Sequence, residues 1–270
     1  MNKLKLSIST CPNDIFMFYD MIKSDDYNFT FGDIKELNDG IKNGEADISK
    51  LSFLTYFKNM KKYKLLNSGT ALGKNCGPLV IGKRDIKDFK GLKIAVPGKN
   101  TTAFLLFTHF FGKDFEVVET LFSDIMELVK RGKVDAGVII HESRFTYHKY
   151  GLKKLYDLGE LWENNTNLPL PLGAIAVKRS IDENIVKMFE KNLSNSIKYN
   201  LENLEKVDFD FLKRYSDEME NDVLLKHIKL YVNKYSIDLG DEGKEAIKIL
   251  YNTAVKSGFC DSLDPYLFDE

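Results

Sequence analysis

The sequence predicts an α/β protein of two lobes that face one cleft, followed by a helical C-terminal region. Three observations predict it. Short apolar runs of strand type alternate with helix-type segments up to Lys178. The pattern then restarts on itself: Lys5 and its strand match Lys93, and Gly44-Glu45-Ala46-Asp47 matches Gly132-Lys133-Val134-Asp135, both at an offset of 88 residues. Finally, the apolar run Ala136 to Ile140 stops abruptly at His141-Glu142-Ser143-Arg144. In open α/β sheets, ligands bind just outside the carboxyl ends of strands.

Taken in order, Lys3 to Ser9 alternates as a strand does. Thr10-Cys11-Pro12-Asn13-Asp14 is a turn, and Ile15 to Ile22 reads as a mostly buried helix. Phe29 to Ile34 is a strand. Leu37 to Lys42 is a short helix closed by Gly44. Ala46 to Ile48 opens a strand that ends in Ser49-Lys50-Leu51-Ser52, and a helix follows through Tyr56 and Met60. Gly77 to Gly82 is a strand. The second unit has a strand at Leu92 to Val96, a turn at Pro97 to Asn100 and an apolar helix opened by Thr101-Thr102. A strand at Phe115 to Thr120 and a helix at Ser123 to Lys130, ended by Gly132, lead into the His141 strand. The chain returns through Leu170 to Lys178. From Glu183 onward the apolar spacing is helical: Ile185/Phe189/Leu193/Ile197, Val223/His227/Leu230/Tyr231 and Ala246/Ile249/Leu250/Ala254.

A length of 270 residues exceeds one typical domain. The expected boundaries are a first lobe of residues 1–86 and 178–270 with the C-terminal helices, and a second lobe of residues 87–177. A net charge of −1 offers no basic field for nucleic acid or anionic lipid. No apolar run is long enough to span a membrane. The N-terminal residues Met1 to Ile8 lack an apolar leader and a cleavage site, so a cytoplasmic location is expected. Three cysteines without metal spacing argue against a disulfide framework or zinc site. An aromatic content of 12% leaves apolar surface for a homodimer.

The chemistry centres on His141, because an imidazole can take or give a proton near neutral pH. His109, His148 and His227 read as structural, and Cys11 reads as structural for want of a histidine partner in the sequence. No histidine pair or carboxylate cluster suggests a metal. Thr101 and Thr102 stand at a helix start, where threonine caps and free N–H groups suit an anion. Asn13 and Asp14 hold the equivalent place in the first unit; a carboxylate there would meet hydroxyls rather than an anion. Lys50 and Ser52 end a strand, where a lysine can hold a carboxylate through charge-assisted hydrogen bonds.

Several blocks occur together and in order: Ser9-Thr10-Cys11-Pro12-Asn13-Asp14, Lys50-Leu51-Ser52, Gly77-Pro78-Leu79-Val80, Ala95-Val96-Pro97-Gly98 with Thr101-Thr102-Ala103, Ile139-Ile140-His141-Glu142-Ser143-Arg144-Phe145-Thr146-Tyr147, Leu168-Pro169-Leu170-Pro171-Leu172-Gly173-Ala174-Ile175 and Tyr231-Val232-Asn233. Together they resemble the 1,4-dihydroxy-6-naphthoate synthase family of the futalosine route to menaquinone. The resemblance implies a two-lobed fold like a type II periplasmic binding protein, used as a lyase without cofactor or metal. It implies cyclic dehypoxanthinyl futalosine as substrate, a molecule with a benzoate-type carboxylate and a ketone in a spiro ring system. His141 matches the family's proton acceptor. Lys50, Leu51 and Ser52 match one substrate-binding segment, and Thr102 with Ala103 matches another. Ile15 stands where the family usually has threonine, and Thr10 where it has proline. A chorismate dehydratase of the same pathway and a non-catalytic small-anion-binding protein are the competing readings. The intact His141 block favours the naphthoate synthase, and the lack of an export signal disfavours the binding protein.

Overall fold

A computed structural model describes residues 3–268, apart from Glu142 and residues 217–219. Among the described residues, eleven strands form two sheets. They are β1 (Lys5–Ser9), β2 (Asn28–Gly32), β3 (Ile48–Ser52), β4 (Tyr63–Leu65), β5 (Ala71–Gly73), β6 (Leu79–Gly82), β7 (Lys93–Val96), β8 (Glu116–Glu119), β9 (Ala136–Ile139), β10 (Lys153–Asp157) and β11 (Leu170–Lys178). The first sheet runs β2-β1-β3-β11-β4, with β5 also on β11; the second runs β10-β6-β9-β7-β8. Strands β3 and β9 are buried along their whole lengths, as their place inside mixed sheets requires.

The helices of the first unit are α1 (Pro12–Met17), α2 (Tyr19–Lys23), α3 (Ile34–Gly40) and α4 (Phe53–Asn59). The expected single helix over Ile15 to Ile22 is broken at Phe18, whose φ/ψ of −97°/10° lie off the helical values. The second unit carries α5 (Thr102–Phe111), α6 (Ile125–Lys130), α7 (Ser143–Thr146) and α8 (Leu158–Thr166). The helical region expected after Glu183 is present as α9 (Glu183–Glu202), α10 (Phe209–Lys213), α11 (Asn221–Tyr231), α12 (Lys234–Ile237) and α13 (Gly240–Lys256). Strands β4, β5 and β10 and helix α8 went unanticipated. The first two are three residues long, too short for alternation to show. The third lies at a sheet edge with a bulge after Lys154.

The two units share their plan down to hydrogen-bond register. Lys5 pairs with Asn28 and Lys93 with Glu116; Leu6 pairs with Ile48 and Ile94 with Ala136. Every one of these positions recurs 88 residues later. The repeated aspartate has the same task in both. Asp47 accepts the Lys5 N–H at 3.0 Å, and Asp135 accepts the Lys93 N–H at 2.9 Å. Gly44 and Gly132 precede them with φ of 66° and 67°, a left-handed turn that glycine enters without cost.

The sheets exchange strands relative to the boundaries expected from sequence. Strand β6 belongs to the second sheet, where it pairs β9 and β10, although residues 1–86 were assigned to the first lobe. Strand β11 belongs to the first sheet, antiparallel to β3, although residues 87–177 were assigned to the second lobe. The chain therefore crosses between β5 and β6 and returns between α8 and β11. Both connections lie next to Pro78 and Pro169, which sequence periodicity does not separate from ordinary turns. One apolar cluster runs behind the crevice from α4 (Phe53, Tyr56, Phe57) through α5 (Ala103, Leu106, Phe107) to α13 (Ala246, Leu250, Tyr251) and joins the two halves. Among the described residues no helix is long and apolar enough to cross a membrane.

Candidate active site

Strand β9 delivers Ile139 from the core, and the chain turns at His141 with φ 58°, a left-handed backbone rare outside glycine and asparagine. Such conformations cost energy and persist where the surroundings enforce them, often at functional sites. The enforcing contacts are visible. Arg144 donates to the Gly77 carbonyl at 2.6 Å and pairs with Asp157 at 3.3 Å. Asp157 in turn caps α8 by accepting the N–H groups of Gly159 and Glu160. The His141 turn is thus fastened to β6 and α8. Glu142, the next residue, lies outside the described residues.

The turn places His141 on a crevice between the sheets. Asn13, Asp14, Lys50, Ser52, Thr101, Thr102 and Ala103 line the same crevice. Its floor is a polar chain. The Lys50 ammonium donates to Asp14 Oδ1 at 2.6 Å, with side chains only 5% and 2% exposed. Ser9 donates to the other carboxylate oxygen, and Asn13 Nδ2 donates to Oδ1 at 2.9 Å. Asn13 Oδ1 meets His227 Nε2 at 2.8 Å, which makes Nε2 the donor and fixes that tautomer. Ser52 forms a reciprocal pair with Asn38: its N–H donates to Oδ1 and its Oγ accepts from Nδ2, both at 3.0 Å. The Ser52 hydroxyl proton is left to point toward a ligand.

On the opposite wall, Thr101 caps α5 by accepting the Phe104 N–H at 3.2 Å while donating to Gly98 O at 2.7 Å. Thr102 Oγ1 donates to Leu172 O on β11 at 3.0 Å, a bond between the two halves. Both hydroxyls are therefore committed to structure. The N–H groups of Thr102 and Ala103 remain, at the positive end of a ten-residue helix, as donors for an anion. Gly173 of β11 gives Lys50 its space: a Cβ there would lie 2.7 Å from Lys50 Cε.

The histidines are held neutral. Burial in the crevice, reinforced by the Lys50 charge, lowers the His141 pKa to about 3. One edge of its ring borders the crevice, so the residue is only partly buried. Burial likewise pushes His227, with no exposed surface, well below the usual range, helped by His141, Lys50 and Arg144. The Phe122 ring stands edge-on over His141 at 4.8 Å. Among the described residues no three His, Cys, Asp or Glu side chains converge as a metal site would require.

A family model described as menaquinone biosynthesis matches residues 4–256. A curated relative from Thermus thermophilus, named 1,4-dihydroxy-6-naphthoate synthase, is 37% identical over 263 residues, 96% of each chain. This chain belongs to that menaquinone-biosynthesis family. As a member of the menaquinone-biosynthesis family it is an enzyme. A solved structure from Archaeoglobus fulgidus superposes with a TM-score of 0.89 at 33% identity, covering 95% of this chain and 98% of that one. The periplasmic aliphatic sulphonate-binding protein of Escherichia coli superposes with a TM-score of 0.67 at 11% identity, covering 97% and 89%. That likeness carries the fold alone: the menaquinone-biosynthesis enzyme has a periplasmic-binding-protein-like architecture.

Of the residues singled out from this family member's sequence, Leu51 stands apart. Its side chain is fully buried in the apolar cluster, because alternation along β3 that turns Lys50 and Ser52 to the crevice turns Leu51 away. Any contact from Leu51 to a ligand would be through its main chain. Two residues read as structural turn out to border the site. Cys11 Sγ lies 3.2 Å from His141 Nδ1, and His227 anchors Asn13. Nothing local could signal either contact, since each joins residues more than a hundred positions apart.

The neutral histidines give the menaquinone-biosynthesis enzyme an acid-sensitive stability. An unfolded histidine takes up a proton near pH 6.5 that the folded His141 and His227 refuse. The unfolded state thus binds more protons, and stability falls as pH drops below about 6.5, by about 1.4 kcal/mol per pH unit for each histidine. Urea unfolding at pH 7, 6 and 5 is expected to show this slope. His227→Gln, which keeps an N–H for Asn13, is expected to remove one proton's share of it; an unchanged slope would exclude His227 as its source.

Proposed function

We propose that the chain is a lyase that converts cyclic dehypoxanthinyl futalosine to 1,4-dihydroxy-6-naphthoate, with His141 as general base. One observation carries the reading: a neutral imidazole on a forced left-handed turn, facing a crevice that also holds anion donors at the start of α5. The N–H groups of Thr102 and Ala103 receive the substrate carboxylate. The Ser52 hydroxyl and the Lys50 ammonium, already paired with Asp14, receive its neutral oxygens, because the Lys50–Asp14 pair has little net charge to offer an anion. His141 removes the proton next to the ketone. The enolate electrons then expel the sugar-derived fragment by carbon–carbon or carbon–oxygen cleavage, and aromatisation drives the reaction forward. The protein supplies orientation, one base and exclusion of water.

A free cavity of about 70 Å³ holds several waters but not this substrate, so the halves part to admit it and close over it. The negative charge of the bound substrate favours the imidazolium, which strengthens His141 as a base once bound. The test is incubation of the purified protein with cyclic dehypoxanthinyl futalosine, followed by mass spectrometry. Release of the naphthoate is expected. Stoichiometric binding with no product would overturn this substrate and reaction.

A further inference from the structure

Asn13 borders the crevice, yet the reaction as described above leaves it idle. It stands at the second position of α1, 5% exposed, on the wall formed by the first half of the molecule. Two neighbours fix which way its carboxamide points. Asp14 is the counter-ion of Lys50 and therefore a carboxylate, which only accepts, so the atom facing Asp14 Oδ1 at 2.9 Å is Nδ2. The other end is then Oδ1, and it accepts from His227 Nε2 at 2.8 Å. His227 is carried by α11, which packs on α1, and its side chain has no exposed surface. Nδ2 has two hydrogens, and among the described residues only Asp14 takes one.

This amide lies beside the base. The rings of His227 and His141 are 6.3 Å apart, centroid to centroid. Cys11, two residues before Asn13, also touches the His141 ring, with Sγ 3.2 Å from Nδ1. We infer that Asn13 is a further catalytic residue, whose remaining N–H holds the ketone oxygen as it becomes an enolate, and that His227 positions it. This rests on the reading of His141 as base. When the C–H bond breaks, its proton goes to His141 and its electron pair forms the C=C bond, which pushes the carbonyl pair onto oxygen. A donor already aimed at that oxygen gains strength as the charge grows, whereas the Lys50 ammonium is already offset by Asp14. Burial keeps His227 neutral, so it holds Asn13 without placing a cation that would weaken His141 as a base.

Two measurements test this, on variants first shown to unfold cooperatively in urea. In steady-state turnover, Asn13→Ala is expected to lower kcat about 10²–10³-fold with KM little changed, the signature of a donor used chiefly in the transition state. His227→Leu, which touches no substrate, is expected to lower kcat about 10- to 100-fold, and His227→Gln, which keeps an N–H for Asn13, to recover most of that loss. Independently of turnover, the hydroxyls of bound 1,4-dihydroxy-6-naphthoate are titrated by absorbance with air excluded. One of them is expected to ionise about one to two pH units higher in Asn13→Ala than in the wild type, and by less in His227→Leu, because its anion loses a donor. Unchanged hydroxyl ionisation, a loss confined to KM, or equal losses in the two His227 variants overturns the inference. Failure of the wild-type protein to bind the naphthoate would sink the substrate reading and this inference with it. A raised hydroxyl pKa in Asn13→Ala alongside a fully active His141→Asn enzyme would uphold Asn13 as the donor and remove His141 from the base role instead.

Discussion

His141→Asn is expected to slow naphthoate formation in a single-turnover assay by about 10²–10⁴-fold, the usual contribution of a general base. Asparagine is the informative replacement. It tolerates the left-handed backbone that His141 adopts at φ 58°, so the turn held by Arg144 and Gly77 should persist. Alanine would mix the loss of the base with strain at a position where a Cβ without a compensating polar group is disfavoured. Substrate binding is expected to stay close to wild type, because the carboxylate donors at Thr102 and Ala103 are main-chain groups of α5 that the substitution leaves in place. A single-turnover rate within a few-fold of wild type would end the base assignment.

Asp14→Ala is expected to destabilise the fold by about 3–5 kcal/mol in urea unfolding, because it leaves the Lys50 ammonium buried without its counter-ion. The damage spreads along the floor. Asn13 and Ser9 lose an acceptor, and the Asn13 contact that orients His227 loosens. Removing both charges, as in Asp14→Leu with Lys50→Met, is expected to restore most of the stability, since a buried ion pair seldom outperforms apolar side chains of similar size. Substrate binding should not return with it, because the oxygens that Lys50 contacts would face methyl groups. Recovery of both stability and binding in the double variant would show the pair to be irrelevant to the ligand. A loss below about 1 kcal/mol in Asp14→Ala would mean that Lys50 finds water.

Much of the candidate site was legible in the residues. The offset of 88 announced two units of one plan, and the structure repeats it in register, in the Asp47 and Asp135 caps and in the Gly44 and Gly132 turns. The end of an apolar strand at His141 and the threonines at a helix start placed one wall of the crevice, and Asn13-Asp14 with the Lys50–Ser52 strand end placed the other, because strand ends and helix N-termini are local events. What failed was non-local. The Thr102 hydroxyl went to Leu172 rather than toward the crevice, and Lys50 met Asp14 rather than an open anion site.

The chain order alone determined most of the longer strands and helices, and that a titratable imidazole terminates a buried strand. Periodicity, turn residues and caps act over a few positions, and a linear text records them. Only folding decided that β6 and β11 change sheets, that Leu51 faces inward, and that Cys11 meets His141 across 130 residues. Those outcomes depend on which sheet edge offers hydrogen-bond partners and which surfaces exclude water together, and such energies exist only between elements already packed against each other.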